Sequence, residues 1–214
     1  MVKYNDQISK YINDLFANQD ESLQYARRNT KEKGLPVIGI QPEEGRFLQF
    51  LVRLCNAQKA VEIGTLGGYS GIWIARGLSP HGKLITLEKE HYHAEVAKEH
   101  FKRACVDDKV EIRVGEAQVL INNLVSEAPF DFIFIDADKT GYIDYFSWGI
   151  QNTRQGGLIV AHNAFRAFSS SGGYHNDLSS QSILTLNRIV SADPRVISTI
   201  FPAGDGTLIA VKIE

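Results

Sequence analysis

The feature that most constrains this chain is a glycine-rich turn between an apolar run and a helical segment. The run ends at Ile63, and Gly64, Gly67 and Gly68 follow before the pattern of 71–76 becomes helical. A strand, a glycine turn and a helix start form a crevice for a nucleotide-like ligand, because glycines admit the ligand to the backbone and the helix N-terminus offers unpaired N–H groups. The turn therefore predicts an α/β fold with a ligand site after its first strand.

The spacing of the turn narrows the choice of ligand. Glu62 stands two residues before Gly64, in the pattern E-x-G-x-x-x-G rather than the dinucleotide pattern G-x-G-x-x-G. A carboxylate here would repel a pyrophosphate but attract the ammonium group of a cationic ligand. The pattern favours S-adenosylmethionine (SAM) over NAD, while an NAD site and a purely structural turn stay open as alternatives.

Composition limits the class of protein and its surroundings. The chain has 214 residues, 43% of them hydrophobic, which suits one sizeable folded domain. A net charge of −2 gives no general bias towards nucleic acid or anionic membranes. Cys55 and Cys105 are the only cysteines, and Cys55 lies in an apolar stripe that predicts a buried thiol. The polar N-terminus and the lack of a long apolar run lead us to expect a cytoplasmic protein with no membrane span.

Hydrophobic periodicity predicts an alternating α/β chain behind three helices. The three helices cover about 5–16, 21–33 and 42–55, with Asn5 as a cap, Gly34 as a stop and Pro42 as a start. Strands are predicted at 60–63, 83–88, 110–114, 130–135 and 157–161, with helices between them, which indicates a parallel sheet covered on both faces. A helix at 183–190 and a hairpin of strands 196–201 and 207–213 follow, so one terminal strand should run antiparallel. The stretch 168–180 is predicted to be a mobile loop.

Ligands of such sheets bind beyond the carboxyl ends of the strands, where polar residues gather in this sequence. Glu88 ends the second strand and is predicted to accept both ribose hydroxyls, although it could simply be an acid at a helix start. The small residue Ala117, after the third strand, is predicted to let an adenine edge meet the backbone.

Candidate metal ligands and a candidate proton acceptor follow the fourth and fifth strands. Asp136, Asp138 and Asn163 offer hard oxygen ligands and His162 offers a nitrogen, so these residues could hold a divalent cation that ionises a hydroxyl. Lys139 could then accept the departing proton. Each residue also has an ordinary structural explanation, as a helix cap or a loop residue, and only their convergence at one sheet edge favours a site.

At this point the sequence resembles the cation-dependent O-methyltransferases of the catechol and caffeoyl-CoA type, particularly their bacterial members. The matching stretches run nearly the full length: 42–48, 62–70, 130–142, 156–163, 192–196 and 204–206. The resemblance implies a class I SAM-dependent methyltransferase (Rossmann-like) α/β fold, with a mostly parallel seven-stranded sheet whose last strand is antiparallel. It also implies one methyltransferase domain over 1–214 with an N-terminal helical extension of about 1–57, and a homodimer.

The resemblance also implies roles for individual residues. The predicted cofactor-binding residues are Ile38, Ile40, Glu62, Gly64, Gly68, Ser70, Glu88, Ala117, Asp136 and Asp138. The predicted metal ligands are Asp136, His162 and Asn163, and the predicted catalytic residues are Lys139 and Asp136. Two positions depart from the family pattern: His162 stands where relatives usually have aspartate, and Ile40 stands where they often have a hydroxyl residue.

The expected function is SAM-dependent methylation of a phenolic, catechol-like hydroxyl, assisted by Mg²⁺, Mn²⁺ or another transition ion. Phe165, Phe168, Trp148 and Tyr174 are candidates to line the acceptor pocket, with Trp148 as readily a core residue. His162 leaves three alternatives open: altered metal preference, a general base in a metal-free reaction, or lost activity. Methylation of a tRNA hydroxyuridine, through the basic run Arg27, Arg28, Lys31 and Lys33, and a cofactor-binding homologue with weak catalysis are the other functions considered.

Overall fold

The computed structural model describes residues 4–168 and 175–214, and it begins with three helices. They are α1 (Asp6–Leu15), α2 (Glu21–Glu32) and α3 (Pro42–Leu54). The predicted helix cap and helix stop are confirmed. The Asn5 side chain accepts a hydrogen bond from the backbone N–H of Ile8 at 3.0 Å, and Gly34 follows α2 with a φ of 75°. Pro42 opens α3, where its missing N–H leaves no helical hydrogen bond unmade.

Strands and helices then alternate as the periodicity predicts. The strands are β1 (Lys59–Ile63), β2 (Lys83–Glu88), β3 (Val110–Val114), β4 (Phe130–Ile135), β5 (Thr153–Ala161), β6 (Val196–Phe201) and β7 (Thr207–Lys212). The helices between them are α4 (Tyr69–Gly77), α5 (His91–Arg103), α6 (Ala117–Asn123), α7 (Tyr142–Asn152) and α8 (Leu178–Ala192).

The strands form one seven-stranded sheet in the order β3-β2-β1-β4-β5-β7-β6. The five strands from β3 to β5 are parallel, and β7 runs antiparallel to both β5 and β6. The prediction of a mostly parallel sheet with an antiparallel last strand is therefore confirmed. Successive strands are added on one side of β1 up to β3 and on its other side from β4 onward. The carboxyl ends of β1 and β4 therefore flank the crevice where such sheets bind ligands.

The side chains of β4 show why both faces of the sheet are covered. Phe132 and Phe134 point into one apolar core, which also contains Trp73 of α4. Ile133 and Ile135 point into the opposite core, among residues of α7 and α8. This alternation within an uninterrupted apolar run is typical of a strand buried on both sides.

Two element boundaries differ from the sequence prediction. β5 begins at Thr153 rather than 157, because the chain makes an irregular register shift beside Phe130 before it pairs regularly with β4. α8 begins at Leu178, where the Asp177 side chain accepts from the backbone N–H of Ser180 at 3.1 Å, so the predicted loop ends earlier. Its residues 169–174 lie outside the described part of the chain.

The apolar stripe of α3 is also less buried than predicted. Cys55 is only half-buried, although burial raises the pKa of its thiol to about 11. Phe50 and Leu54 are 57% and 68% exposed. Within the two described segments, no helix is long and apolar enough to cross a membrane.

The contact between α3 and α4 depends on a glycine. A Cβ on Gly45 would lie 2.3 Å from the indole of Trp73, so Gly45→Ala should destabilise the fold by about 1–3 kcal/mol through overpacking. Gly149→Ala is the matched control, because a Cβ there would lie 3.4 Å or more from its neighbours and alanine favours the helix. Urea unfolding of both variants measures the difference. Equal stability of the two variants would contradict this account of the α3–α4 contact.

Candidate active site

The backbone hydrogen bonds of the sheet continue past the carboxyl ends of three adjacent strands. Gly64 donates to the carbonyl of Leu87 at 3.0 Å, Asp136 donates to Ile63 at 2.9 Å, and His162 donates to Ile135 at 3.0 Å. The residues that follow β1, β4 and β5 are thereby fixed side by side. The sequence prediction that these strand ends meet is confirmed by this ladder.

The glycine turn packs directly against the end of β4. Gly64 has a φ of 100°, and a Cβ there would lie 2.2 Å from the backbone oxygen of Asp136. Gly68 has a φ of 76°, and a Cβ there would lie 2.8 Å from the ring of Phe101. Both positions therefore require glycine, for conformation and for space.

Glu62 lies behind the turn rather than on its open side. Its side chain is fully buried, and its two oxygens accept from the hydroxyls of Ser70 at 2.5 Å and Thr86 at 2.6 Å. Burial raises the pKa of Glu62 to about 7, against the lowering effect of these two hydrogen bonds. Glu62 is thereby joined to the start of α4 through Ser70, and its contact with a ligand ammonium stays a prediction.

Glu88 is held by the same turn. One of its carboxylate oxygens accepts from the backbone N–H of Leu66 at 2.7 Å, and the other accepts from Glu90 at 2.9 Å. Gly115 donates to the carbonyl of Glu88 at 2.8 Å, which brings the start of α6, with Ala117 as its first residue, beside the end of β2. The predicted ribose and adenine positions are therefore neighbours along the sheet edge.

A buried histidine ties the glycine turn to α2. His100 of α5 donates from Nδ1 to the carbonyl of Gly67 at 2.7 Å, and its Nε2 lies 2.9 Å from the side chain of Asn29. Burial lowers the pKa of His100, which favours a neutral ring. The contact fixes the turn from the side opposite to β4.

Asp138 begins a short 3₁₀ turn after β4. It accepts from the backbone N–H of Gly141 at 2.9 Å and from the hydroxyl of Tyr145 at 2.6 Å. Its side chain is therefore fixed at the sheet edge, although these bonds already use both carboxylate oxygens.

Asp136 and Lys139 form a partly buried ion pair beside the glycine turn. Lys139 donates to Asp136 at 2.8 Å, to the hydroxyl of Tyr142 at 2.7 Å and to the carbonyl of Ala137 at 3.1 Å. Burial of Asp136 opposes ionisation, but the nearby His162 and Lys139 side chains prevail and hold the Asp136 pKa well below its usual value. The two side chains are 19% and 15% exposed, so the pair sits at the mouth of the site.

His162 lies deeper, between two carboxylates. Its Nε2 is 2.9 Å from Oε1 of Glu44, and its Nδ1 is 3.4 Å from Oδ2 of Asp136. Burial alone would lower the pKa of His162, but the nearby carboxylates of Asp136 and Glu44 raise it to about 10. Nε2 lies within hydrogen-bond distance of Glu44, whereas the buried Nδ1 has no hydrogen-bond partner among the described residues.

Two of the three predicted metal ligands face each other. Nδ1 of His162 lies 3.4 Å from Oδ2 of Asp136, whose other carboxylate oxygen is paired with Lys139. Asn163, in a left-handed conformation with a φ of 62°, directs its amide nitrogen to Asp205 at 3.3 Å. Across the described residues, no three histidine, cysteine or acidic side chains are grouped to hold a metal.

The other predicted residues are not all brought to this edge. Ile38 is 72% exposed in the α2–α3 connection, whereas Ile40 is buried in the core around Leu48. Trp148 packs against Phe130 in the opposite core, as its structural explanation predicts. Phe165 and Phe168 meet edge to face after β5, with ring centroids 6.0 Å apart, and Tyr174 lies outside the described residues.

Sequence reasoning missed the roles of Glu44, Tyr142 and Tyr145. Glu44 accepts a hydrogen bond from the backbone N–H of Gln41 at 2.8 Å, as a glutamate commonly does in the capping box of a first helical turn. That local pattern gives no sign of a partner 118 residues away. The tyrosines follow Lys139 at helical spacing, which could have placed them under the 3₁₀ turn.

Glu62 should make stability fall as pH rises. Its pKa lies near 4.5 when unfolded and about 7 when folded, so its protonated form stabilises the fold below pH 4.5, and this contribution is lost as pH rises through 7. Glu62→Gln mimics the protonated form. Between pH 4.5 and 8, wild type should lose about 3 kcal/mol of unfolding free energy relative to this variant.

Urea unfolding across that pH range measures the effect. Glu95→Gln, which removes an exposed carboxylate from α5, is the matched control. Parallel stability curves for wild type and Glu62→Gln would show that Glu62 does not carry this pH dependence.

Comparison with known proteins identifies the family. The sequence model of a family described as O-methyltransferase matches residues 13–213. A catechol O-methyltransferase of Niastella koreensis is 45% identical over 163 residues, which cover 75% of this chain and 74% of that protein. A catechol O-methyltransferase of Mycobacterium tuberculosis is 39% identical over 159 residues, which cover 74% of this chain and 72% of that protein.

Solved structures agree in fold and in cofactor. The O-methyltransferase from Bacillus cereus in complex with SAH has a TM-score of 0.88 at 36% identity, over 96% of this chain and 97% of that one. An O-methyltransferase from Streptomyces achromogenes in complex with SAM has a TM-score of 0.86 at 32% identity, over 97% of this chain and 96% of that one. The chain therefore belongs to the O-methyltransferase family, has the class I methyltransferase fold, and is a SAM-dependent O-methyltransferase.

Proposed function

We propose that this enzyme methylates a hydroxyl of a small catechol-like aromatic molecule. The observation that carries the proposal is the position of the Asp136–Lys139 pair, whose first member packs its backbone against Gly64 of the glycine turn. A hydroxyl bound beside Lys139 would thus lie next to the cofactor crevice. Two curated relatives, at 45% and 39% identity, carry the name catechol O-methyltransferase.

The residues of the turn suit SAM as the methyl donor. When bound, SAM supplies a methyl group on a positively charged sulfur, which makes the methyl electrophilic. Ser70, fixed by Glu62, and the backbone of the turn would hold the amino-acid end of the cofactor. Glu88, fixed by Leu66 and Glu90, would accept from the ribose hydroxyls with its remaining lone pairs.

The acceptor hydroxyl must ionise before its oxygen can attack the methyl group. A neighbouring ammonium favours the ionised form, since an opposite charge within about 4–6 Å stabilises it. Lys139 presents such a charge and is oriented by Asp136 and Tyr142. The oxygen then attacks in line, and its proton passes to solvent.

This role for Lys139 differs from the general base of the sequence prediction. A base needs a free lone pair on its nitrogen, whereas Nζ of Lys139 donates to three acceptors, Asp136, Ala137 and Tyr142. The base remains a prediction, and the contacts support the electrostatic role.

The divalent cation of the sequence prediction remains a prediction. If bound, it would be held by Asp136, by Asn163 and by Nδ1 of His162, which has no hydrogen-bond partner among the described residues. It would supply a positive charge that favours ionisation of the acceptor hydroxyl.

The basic residues on the surface of α2 give little support to the tRNA alternative. Arg27 lies over the ring of Tyr69 at 5.3 Å, and Arg28 lies 3.8 Å from Glu32, so both guanidinium groups have partners within the chain. Methylation of tRNA and a homologue with weak catalysis therefore remain predictions, as does a cytoplasmic location.

We also propose that the enzyme is a homodimer. Exposed apolar side chains of α1 and α3, among them Phe16 and Phe50, line one cleft together with Phe201 at the end of β6. Ile197, on the same edge strand, is 66% exposed. Apolar surface of this extent is commonly covered by a partner, and a second identical chain is the commonest one.

Methyl transfer from labelled SAM to catechol, a caffeoyl ester and bulk tRNA tests the acceptor class. We expect label in catechol or the caffeoyl ester and none in tRNA. Labelled tRNA alone would favour the nucleic-acid alternative, and no labelled acceptor, with SAM binding intact, would favour a homologue without this activity.

Two variants of one residue separate the roles of Lys139. Lys139→Ala should lower kcat about 10²–10³-fold, the range for loss of one group that stabilises developing negative charge. Lys139→Arg keeps a positive charge but cannot accept a proton, so it should retain more turnover than Lys139→Ala. Equal inactivity of both variants, with unchanged SAM affinity, would instead support the general base.

Light scattering coupled to gel filtration tests the dimer. Phe50→Lys places a charge in the apolar cleft and should shift wild-type dimers towards monomers. Val119→Lys is the matched control, because Val119 is 60% exposed on α6 near the other edge of the sheet. A monomeric wild type, or dimers that survive Phe50→Lys, would contradict this interface.

A further inference from the structure

The glycine turn after β1 is strained at Leu66 and is held by groups outside it. Leu66 has a φ of 49°, in the left-handed region that is unfavourable for a residue with a side chain. Two groups oppose relaxation of the turn. The Glu88 carboxylate accepts from the backbone N–H of Leu66 at 2.7 Å, and His100 donates to the carbonyl of Gly67 at 2.7 Å. The His100 side chain is 1% exposed, so it acts on the turn from inside the protein.

His100 controls the orientation of one peptide group. The carbonyl of Gly67 and the N–H of Gly68 belong to the same peptide plane. The carbonyl accepts from His100, and the N–H donates to the carbonyl of Thr65 at 2.8 Å. With glycine on both sides, this peptide meets little steric resistance to rotation, because glycine adopts positive and negative φ about equally. The hydrogen bonds at its two ends therefore hold it in place.

The orientation of this peptide sets the start of α4. Gly68 is the N-cap of α4 and has a φ of 76°. Rotation of the peptide would change this φ and redirect the first N–H groups of α4, which have no acceptor within the helix. These N–H groups, together with Ser70, are the part of the turn that suits the amino-acid end of SAM. His100 thus acts on the cofactor position through Gly67 and Gly68.

The second partner of His100 comes from α2. Nε2 lies 2.9 Å from the side-chain amide of Asn29, and the ring of Tyr25, one helical turn earlier, meets the imidazole edge to face with centroids 5.7 Å apart. A carbonyl only accepts, so Nδ1, which faces Gly67, carries a proton. The amide of Asn29 has a donor and an acceptor, so it can serve Nε2 with or without a proton. The link therefore does not depend on how the ring titrates.

α2 also packs directly against the turn. A Cβ on Gly67 would lie 2.2 Å from Oγ1 of Thr30, the residue after Asn29. Thr30 donates this hydroxyl to the carbonyl of Ala26 at 2.7 Å, which fixes the oxygen against its own helix. Gly67 is thus enclosed by α2 at its Cα and held by His100 at its carbonyl, so displacement of α2 would loosen both contacts.

We infer that His100 and Asn29 are positioning residues for SAM, which hold the Gly67–Gly68 peptide in the orientation that the cofactor needs and make SAM affinity depend on the docking of α2. The inference rests on the proposed placement of SAM at the turn. Because coupling between two sites is reciprocal, SAM should in turn strengthen the docking of α2.

Two variants of His100 separate its hydrogen bond from its bulk. The amide nitrogen of asparagine is attached to Cγ, as Nδ1 of histidine is, so His100→Asn keeps a donor for the Gly67 carbonyl and His100→Leu does not. In calorimetry, His100→Leu should bind SAM about tenfold more weakly or worse, since only chains with the correct peptide orientation bind. His100→Asn should stay within about threefold of wild type, because its peptide keeps that orientation.

Asn152→Ala is the matched control for lost stability. Asn152 is a buried amide that donates to the carbonyl of Trp148 at 2.8 Å, where α7 ends at the opposite edge of the sheet. This variant should be less stable in urea and bind SAM as wild type does. Unchanged SAM affinity in a folded His100→Leu chain, or equal losses in His100→Leu and His100→Asn, would overturn the inference.

Glu88→Ala distinguishes a failure of the inference from a failure of the SAM placement. Loss of SAM affinity in Glu88→Ala, together with wild-type affinity in His100→Leu, would refute the role of His100 and leave the placement intact. Wild-type affinity in both variants would show that SAM binds elsewhere, which would remove the basis of the inference.

Hydrogen exchange in wild type tests the coupling without relying on a variant that folds. SAM should slow amide exchange along α2 as well as at the start of α4, whereas the last turn of α7 should exchange at an unchanged rate. In Asn29→Ala, the added protection of α2 should be lost. Protection that is confined to the turn and α4 in wild type would overturn the claimed dependence on α2.

Discussion

The close approach of Gly64 to the backbone carbonyl of Asp136 is the contact on which the site depends. A side chain at residue 64 would put a carbon 2.2 Å from that oxygen, so only glycine lets the ends of β1 and β4 lie so close. The cofactor turn follows β1, and the ion pair of Asp136 and Lys139 follows β4. Group transfer requires donor and acceptor to be held in near contact, and this packing provides that proximity before any ligand binds.

The helices that precede the sheet complete the site from its outer side. Through Asn29, α2 fixes His100, which in turn holds the carbonyl of Gly67. Through Glu44, α3 fixes His162. The cofactor turn and the acceptor side of the site are thus each anchored by a different helix, so displacement of these helices would loosen both at once.

Local patterns explain what the sequence could predict. The spacing of Glu62, Gly64 and Gly68 identified the turn, and short apolar runs predicted the carboxyl ends of β1 to β6, because strand periodicity and glycine turns depend on neighbouring residues. The polar residues after β4 and β5 could be paired because parallel strands end at one edge.

What the sequence could not provide are the long-range partners. Residue type and position alone could not show that Nε2 of His162 faces a buried carboxylate. The deciding partner, Glu44, is 118 residues away, and its approach depends on how α3 packs against α4 and the hairpin turn. The hydrogen bond of Glu62 with Ser70 could not be predicted for the same reason, since it depends on how α4 packs against the end of β1.

Buried charges explain why this arrangement is held so firmly. Glu44, His162, Asp136 and Lys139 alternate in sign, with separations of 2.9, 3.4 and 2.8 Å, so each inner charge lies between two opposite ones. Removal of one member would leave a buried charge without its partner, which costs far more than loss of an exposed pair. Asp136 and Lys139, at 19% and 15% exposure, stand at the open end of the series. Glu44 and His162, each 3% exposed, therefore fix Asp136, and Asp136 orients Lys139, the charge that the proposed function places beside the acceptor.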